Sequence, residues 1–209
     1  TTQDTSSAAS DVYKRQSVIG MHFFSPANVM KLLENVRGDA SSDTVVASAM
    51  AIGKQIGKVC VMVGVCNGFV GNRMLFMLGA ESDRMLMEGA TPAQIDNVLY
   101  EFGFPMGPFS MSDLAGLDIG WKEEKSSSST VREIMCESGR RGQKNGMGYY
   151  RYDPETRAAT PDPEVEEMIR QFAIDRGHEQ REVTDQEILE RLLYPMLNEG
   201  AKILDEGIA

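Results

Sequence analysis

The segment Val18–Glu34, VIGMHFFSPANVMKLLE, constrains the fold of this chain more than any other stretch. It consists of two short runs rich in β-branched, aromatic and other large apolar residues, joined by a turn-forming Ser-Pro-Ala-Asn sequence at 25–28. Runs of this length that are bounded by proline and turn residues are typical of buried strands. The segment therefore predicts two adjacent strands that bring the imidazole of His22 beside the carboxylate of Glu34.

The pairing of His22 with Glu34 predicts a general base. A carboxylate that bonds one ring nitrogen of histidine fixes the tautomer and raises the basicity of the other nitrogen. The alternative is a core histidine whose ring is satisfied by a nearby carbonyl. Spacing alone does not decide between the two interpretations.

Composition excludes several classes of function. The 209 residues carry a formal net charge of −10, which argues against a nucleic-acid partner because phosphate binding needs clustered Lys and Arg. No apolar run reaches eighteen residues, so no membrane span is predicted. The three cysteines, Cys60, Cys66 and Cys136, form no CxxC pair, and the two histidines lie in no HExxH grouping. These patterns argue for a reducing compartment and against a disulfide framework, a zinc site or any other metal site.

Three motifs resemble one enzyme family. They are GMHFFSPANVMKLLE at 20–34, NGFVGNRML at 67–75 and GFPMGPFSMSDLAGLDIGW at 103–121. Together they closely resemble the 3-hydroxyacyl-CoA dehydrogenase family, and most nearly the dehydrogenase part of multifunctional fatty-acid β-oxidation enzymes. The resemblance runs from about Val18 to the last residue.

The resemblance implies a reaction and assigns roles to four residues. The family oxidises L-3-hydroxyacyl-CoA to 3-ketoacyl-CoA with NAD, so the implied partner is an acyl-CoA. By resemblance His22 is the catalytic base, Glu34 orients it, Asn72 contacts substrate, and Ser25 lies at the nicotinamide of the cofactor. The implied location is the cytoplasm, or the peroxisome in a eukaryote.

One family motif is missing. The family begins with a βαβ unit whose GxGxxG sequence holds the cofactor pyrophosphate, and GxGxxG occurs nowhere in these 209 residues. We therefore expect the chain to keep the base, to lack most of the cofactor site and to be inactive alone. A second hypothesis is a non-catalytic helical packing or dimerisation fragment that needs another chain for NAD binding. A third is a different Rossmann-plus-helices dehydrogenase acting on a small hydroxy acid, which the first motif fits less well.

The predicted fold class is α/β, the end of a Rossmann-type sheet, followed by a mainly α-helical domain with a duplicated, truncated second copy. We predict these regions: a disordered or non-native leader at 1–16, the C-terminal part of the NAD-binding domain at 17–66, the first helical domain at 67–122, a linker and glycine-rich loop at 123–160, and the start of a second helical copy at 161–209.

The duplication is predicted from a weak internal repeat. Residues 72–76 align with 190–194 at an offset of 190 − 72 = 118, and further matches follow at the same offset: Glu81 with Glu199, Leu86 with Leu204, and Glu88-Gly89 with Glu206-Gly207. Two such copies are expected to pack on each other, or on a second chain, because each must bury an apolar face. The predicted faces contain Met74, Leu75, Leu78, Leu192, Leu193 and Leu197. Glu190 stands where Asn72 would be, so only the first copy is expected to be catalytic.

Several local elements are also predicted. A strand over 58–65 is apolar through its middle, as expected for a sheet covered on both faces. Helices are expected from Pro92, over 111–120 and over 162–177. The basic, glycine-rich segment 139–152 is expected to be a structural loop with Tyr149 and Tyr150 packed on the helices, and the alternative is a phosphate contact.

Overall fold

The computed structural model describes residues 15–209, which form seven α-helices and five strands. In chain order the elements are β1 (Gly20–Phe23), β2 (Leu32–Val36), α1 (Asp43–Gln55), β3 (Val59–Val63), α2 (Gly71–Glu88), α3 (Pro92–Phe102), α4 (Pro108–Ala115), α5 (Val131–Glu137), β4 (Tyr150–Tyr152), β5 (Ala159–Pro161), α6 (Pro163–Asp175) and α7 (Asp185–Asp205). The architecture is α/β, as the sequence predicts.

The described residues divide into two compact units. The first contains the residues up to Phe76 together with Met196–Ala209, and the second contains Met77–Pro195. Both divisions fall inside helices, α2 and α7. This division into compact units does not test the predicted domain boundaries, which stay predictions. The predicted leader at 1–16 lies almost entirely outside the described residues.

A three-stranded sheet of order β1-β2-β3 forms the centre of the first unit. Strands β1 and β2 pair antiparallel, whereas β2 and β3 pair in parallel through the connection that contains α1. Helix α1 starts where the Ser42 hydroxyl accepts a hydrogen bond from the amide of Val45 at 3.3 Å. It approaches the sheet so closely that a Cβ on Gly53 would lie 2.1 Å from the sulfur of Cys60.

The prediction that β3 is covered on both faces is wrong for the described residues. Val59 and Met62 are 59% and 46% exposed, and the strand is shorter than predicted. In the described sheet β3 is an outer strand, paired only with β2. An apolar run gives the polarity of a strand but does not show what covers it.

In the second unit, α3 begins as predicted and α4 does not. The Thr91 hydroxyl caps α3, and Pro92 occupies its first turn. Helix α4 runs from Pro108 to Ala115 rather than over 111–120. The physical reason is a cap from outside the helix, because the Asp96 carboxylate accepts hydrogen bonds from the first amides of α4, Phe109 and Ser110, at 3.0 and 2.8 Å.

The predicted linker contains packed structure that the sequence did not predict. Helix α5 and strand β4 lie within 123–160, and β5, which pairs antiparallel with β4, begins there and ends at Pro161. Tyr149 and Tyr150 are buried, which confirms the predicted structural loop. Their amides donate to the buried carboxylate of Asp113 at 3.0 and 3.1 Å, and the Tyr152 hydroxyl donates to the same group at 2.9 Å.

Helices α2 and α7 pack against each other within each unit. In the first unit Arg73 bonds Glu199 at 2.7 Å, and in the second Arg191 bonds Glu81 at 3.1 Å. Of the predicted apolar faces, Leu78 and Leu192 are buried, but Leu197 is 61% exposed, so its predicted place at the contact is wrong. Helix α6 lies within the predicted range 162–177 and buries Val165, Ile169 and Phe172.

Residues 15–209 contain neither a membrane-spanning helix nor a cluster of metal-binding side chains. Within this range no helix has both the length and the apolarity needed to cross a membrane. The same residues contain no group of three His, Cys, Asp or Glu side chains that could hold a metal ion. The three cysteines are free thiols.

Candidate active site

The His22–Glu34 pair forms as the sequence predicts. The antiparallel register places His22 directly opposite Glu34 on neighbouring strands. Nδ1 of His22 lies 2.7 Å from Oε2 of Glu34. The Glu34 side chain is fully buried, whereas the His22 side chain is 30% exposed. The carboxylate is therefore enclosed while the imidazole remains accessible.

The other oxygen of Glu34 is held by the start of α2. Oε1 accepts hydrogen bonds from the amides of Val70 at 3.0 Å and Gly71 at 2.8 Å. These amides lie at a helix N-terminus, where free N–H groups and the helix dipole favour an anion. The helix start therefore holds the Glu34 side chain in place, with Oε2 positioned to accept a hydrogen bond from Nδ1–H of His22. A Cβ at Gly71 would lie 2.8 Å from the ring of Phe24, so the glycine leaves room for that ring beside the helix start.

Two aromatic rings flank the imidazole. The ring centroids of Phe24 and Phe69 lie 4.8 and 5.3 Å from that of His22. Phe69 has a positive φ of 49° and follows Gly68, whose φ is 78°. This left-handed turn places the Phe69 ring on the histidine and presents the next two amides to Glu34.

The geometry leaves one nitrogen of His22 available for chemistry. Nδ1 is committed to Glu34, and within residues 15–209 no group bonds Nε2. A neutral ring with its proton on Nδ1 carries a lone pair on Nε2. The arrangement can therefore take a proton from a substrate hydroxyl and return it to a carbonyl.

The other two predicted site residues are less constrained. Asn72 lies in the first turn of α2, one residue after the amide that bonds Glu34, and is half-buried. Ser25 is exposed in the turn after β1, where its peptide bond to Pro26 is cis. Neither side chain forms a hydrogen bond with another described residue. Ser25 follows His22 by three residues and Asn72 follows a backbone donor of Glu34, so both adjoin the His22–Glu34 dyad along the chain, but no contact fixes either side chain.

Sequence reasoning missed the backbone donors and the guanidinium beside them. The amides of Val70 and Gly71 hold Glu34, and Arg73 follows two residues later. Arg73 bonds Glu206 and Glu199, and these two carboxylates raise the pKa of its guanidinium. Its proximity in turn lowers the pKa of both carboxyls. The available signal was the turn pair Asn67-Gly68 directly before a helical pattern, which places free amides there.

Two family models match the chain in succession. The model described as "3-hydroxyacyl-CoA dehydrogenase, NAD binding domain" matches residues 2–66. The model described as "3-hydroxyacyl-CoA dehydrogenase, C-terminal domain" matches residues 68–152. The dyad lies in the first match, and Asn72 lies in the second.

The chain is also similar to curated and solved proteins. It is 47% identical to a peroxisomal bifunctional enzyme of Danio rerio over 97% of this chain, and 44% identical to that of Homo sapiens over 99%. In both cases it spans 31% of the relative's length. The crystal structure of the dehydrogenase part of multifunctional enzyme 1 from C. elegans matches 94% of this chain and 46% of its own, with 34% identity and a TM-score of 0.72.

Proposed function

Because the chain belongs to the 3-hydroxyacyl-CoA dehydrogenase family, we propose that it provides the catalytic base for NAD-dependent oxidation of an L-3-hydroxyacyl-CoA to a 3-ketoacyl-CoA. The observation that carries the proposal is the buried Glu34 carboxylate, bonded at once to His22 and to the start of α2. The process would be fatty acid β-oxidation, and the oxidoreductase would act in the peroxisome in a eukaryote, as the names of the relatives suggest.

Each residue of the site has a role in this reaction. Nε2 of His22 takes the proton of the C3 hydroxyl, and the resulting imidazolium is stabilised by Glu34 at 2.7 Å. In the reverse direction the protonated ring donates to the C3 ketone. The Asn72 amide donates a hydrogen bond to the same substrate oxygen as charge develops there. Bound NAD would supply the acceptor for the hydride that leaves C3.

The residues present are suited to contact the nicotinamide of NAD but not to hold its pyrophosphate. The accessible His22 ring and the exposed Ser25 turn form the end that would face the nicotinamide, with Ser25 as its contact. The chain has no GxGxxG turn to hold a pyrophosphate on a helix N-terminus. We therefore propose that the isolated 209-residue chain gives no measurable turnover, and that activity belongs to the full natural polypeptide that carries this sequence.

The proposal is tested by NADH formation. The full natural polypeptide is assayed with NAD and short- or medium-chain L-3-hydroxyacyl-CoA, and the His22→Ala variant is the comparison. The expected result is NADH production that falls by about 10²–10⁴ in the variant, the usual contribution of a positioned base. NADH formation at the wild-type rate by correctly folded His22→Ala would refute the proposal. Faster oxidation of a small hydroxy acid such as lactate would favour the alternative dehydrogenase class.

A packing role for the helical part is supported by reciprocal ion pairs. Arg73 bonds Glu199 and Glu206, and Arg191 bonds Glu81 and Glu88. The offset of 118 converts one cluster into the other, since 73 + 118 = 191, 81 + 118 = 199 and 88 + 118 = 206. Each arginine thus bonds the glutamates of the other copy, at equivalent positions. Such reciprocal bonding is typical of two copies of one surface in contact. It supports the proposal that the chain contains a duplicated helical unit that packs on its own repeat.

A further inference from the structure

The start of α2 is anchored on both sides of Asn72. The amide of Gly71, just before it, donates to Glu34 at 2.8 Å, and the guanidinium of Arg73, just after it, bonds two carboxylates of α7. We propose that Glu199, acting through Arg73, is a positioning residue that holds Asn72 in place for the substrate. This inference rests on the proposed function, because Asn72 is the substrate contact there.

The contacts of Arg73 fix its position closely. Its Nε donates to Glu199 at 2.7 Å, and its two terminal nitrogens donate to the two oxygens of Glu206 at 2.6 and 2.9 Å. Such a fork-to-fork pair restricts both distance and orientation. The Arg73 and Glu199 side chains are only 16% and 12% exposed, so water screens their ion pair little.

Further contacts join α7 and the residues after it to the unit that contains His22 and Glu34. The amide of Gly64, just after β3, donates to the carbonyl of Ile208 at 2.6 Å. A Cβ on Gly200 would lie 3.3 Å from the methyl group of Met74. Residues at the end of the chain therefore pack around the segment that contains Asn72 and the two amides bonded to Glu34.

The chain contains its own matched control. Glu81 is the counterpart of Glu199: it bonds Arg191, is 15% exposed and has a cation three residues later, Arg84 in place of Lys202. The residue before Arg191 is Glu190 and not an asparagine. If the Arg73 cluster served helix packing alone, removing either carboxylate would have the same effect on activity.

The decisive experiment compares Glu199→Gln with Glu81→Gln in the full natural polypeptide. Both substitutions keep the side-chain volume and remove one charge from an equivalent pair, so both are expected to lower the melting temperature. Glu199→Gln should also lower kcat by about tenfold, because small misplacement of a group that contacts the reacting oxygen is costly. Glu81→Gln should leave kcat and KM within about twofold of wild type, as expected for a side chain that bonds no residue next to Asn72. Equal kinetic effects of the two variants, or an unchanged kcat in Glu199→Gln, would overturn the inference.

Two additional measurements separate this inference from the proposed function. In an Arg73→Met background, Glu199→Gln should have no further effect on kcat, since its action passes through Arg73. Hydrogen exchange needs no substrate, and it should be faster at the Val70–Asn72 amides in Glu199→Gln but not in Glu81→Gln. A wild-type protein inactive on hydroxyacyl-CoA refutes the proposed function, whereas unchanged exchange at these amides refutes the positioning role.

Discussion

At the scale of single residues, Glu34 bonds more than His22. Its fully buried carboxylate accepts three hydrogen bonds, one from the imidazole and two from the start of α2. A glutamine of the same shape has only one acceptor oxygen, so its NH₂ group would face an N–H donor. We therefore expect Glu34→Gln to remove a large part of activity and to lower stability by about 1–3 kcal/mol, the cost of an unsatisfied buried donor.

The dyad should behave as one unit in kinetics. His22→Ala alone removes the proposed base, so adding Glu34→Gln should cost little more activity. The double variant should therefore lose far less than the product of the two single losses. Steady-state kinetics and thermal melts of both single variants and the double variant measure this. A multiplicative loss would show that the two residues act independently.

The sequence predicted this pair because strand pairing brings residues on either side of a turn into register. It could not predict the amides of Val70 and Gly71, which lie 36 and 37 residues beyond Glu34. The turn pair Asn67-Gly68 indicates free amides at a helix start but not the group that accepts from them. Their direction depends on the left-handed turn at Gly68 and Phe69.

At the scale of elements, Asp113 attaches the segment before β4 to helix α4. Its carboxylate accepts hydrogen bonds from the amides of Tyr149 and Tyr150 and from the hydroxyl of Tyr152. Burial raises the pKa of this carboxyl. A Cβ on Gly148 would lie 2.0 Å from its carboxylate, so the loop approaches the helix as closely as glycine allows.

We expect Asp113→Ala to lower the free energy of unfolding by about 3–5 kcal/mol, because it leaves three buried donors without an acceptor. Denaturant unfolding measures this loss. Asp153→Ala is the control, since that carboxylate caps an exposed turn and should cost about 0.5–2 kcal/mol. Equal losses would show that Asp113 is not the main attachment of the loop.

The sequence did not predict these elements because they are short and depend on distant partners. Strands β4 and β5 have three residues each, too few to show alternation. The acceptor at Asp113 lies 36 residues before Tyr149, so no local pattern links them. By contrast, the start of α3 was predictable, since Thr91 and Pro92 form a local cap.

At the scale of the whole molecule, the chain leaves the first unit within α2 and returns to it within α7. The repeat predicted that these helices pack together, but not that Met196–Ala209 joins the unit built on the sheet. That assignment depends on contacts such as Gly64 with Ile208, between residues that no repeat relates.

A substitution in the core of one unit should promote local unfolding of that unit and not of the other. Ile203 and Ile188 lie on the same helix, α7, and are 2% and 0% exposed, but Ile203 belongs to the first unit and Ile188 to the second. Either Ile→Ala change should cost about 2–5 kcal/mol through lost burial and a cavity. Compact groups of residues often open as local cooperative units. We therefore expect Ile203→Ala to speed hydrogen exchange in β2, and Ile188→Ala to speed it in β4.

Native-state exchange of the two variants, read at amides in β2 and β4, distinguishes the possible responses. Acceleration confined to the unit that carries the substitution supports separate opening. Equal acceleration in both strands by both variants would mean that the described residues unfold as a single cooperative unit, and the division at Phe76 and Pro195 would then have no energetic meaning. The comparison is well controlled because both changes remove the same atoms from fully buried positions of one helix.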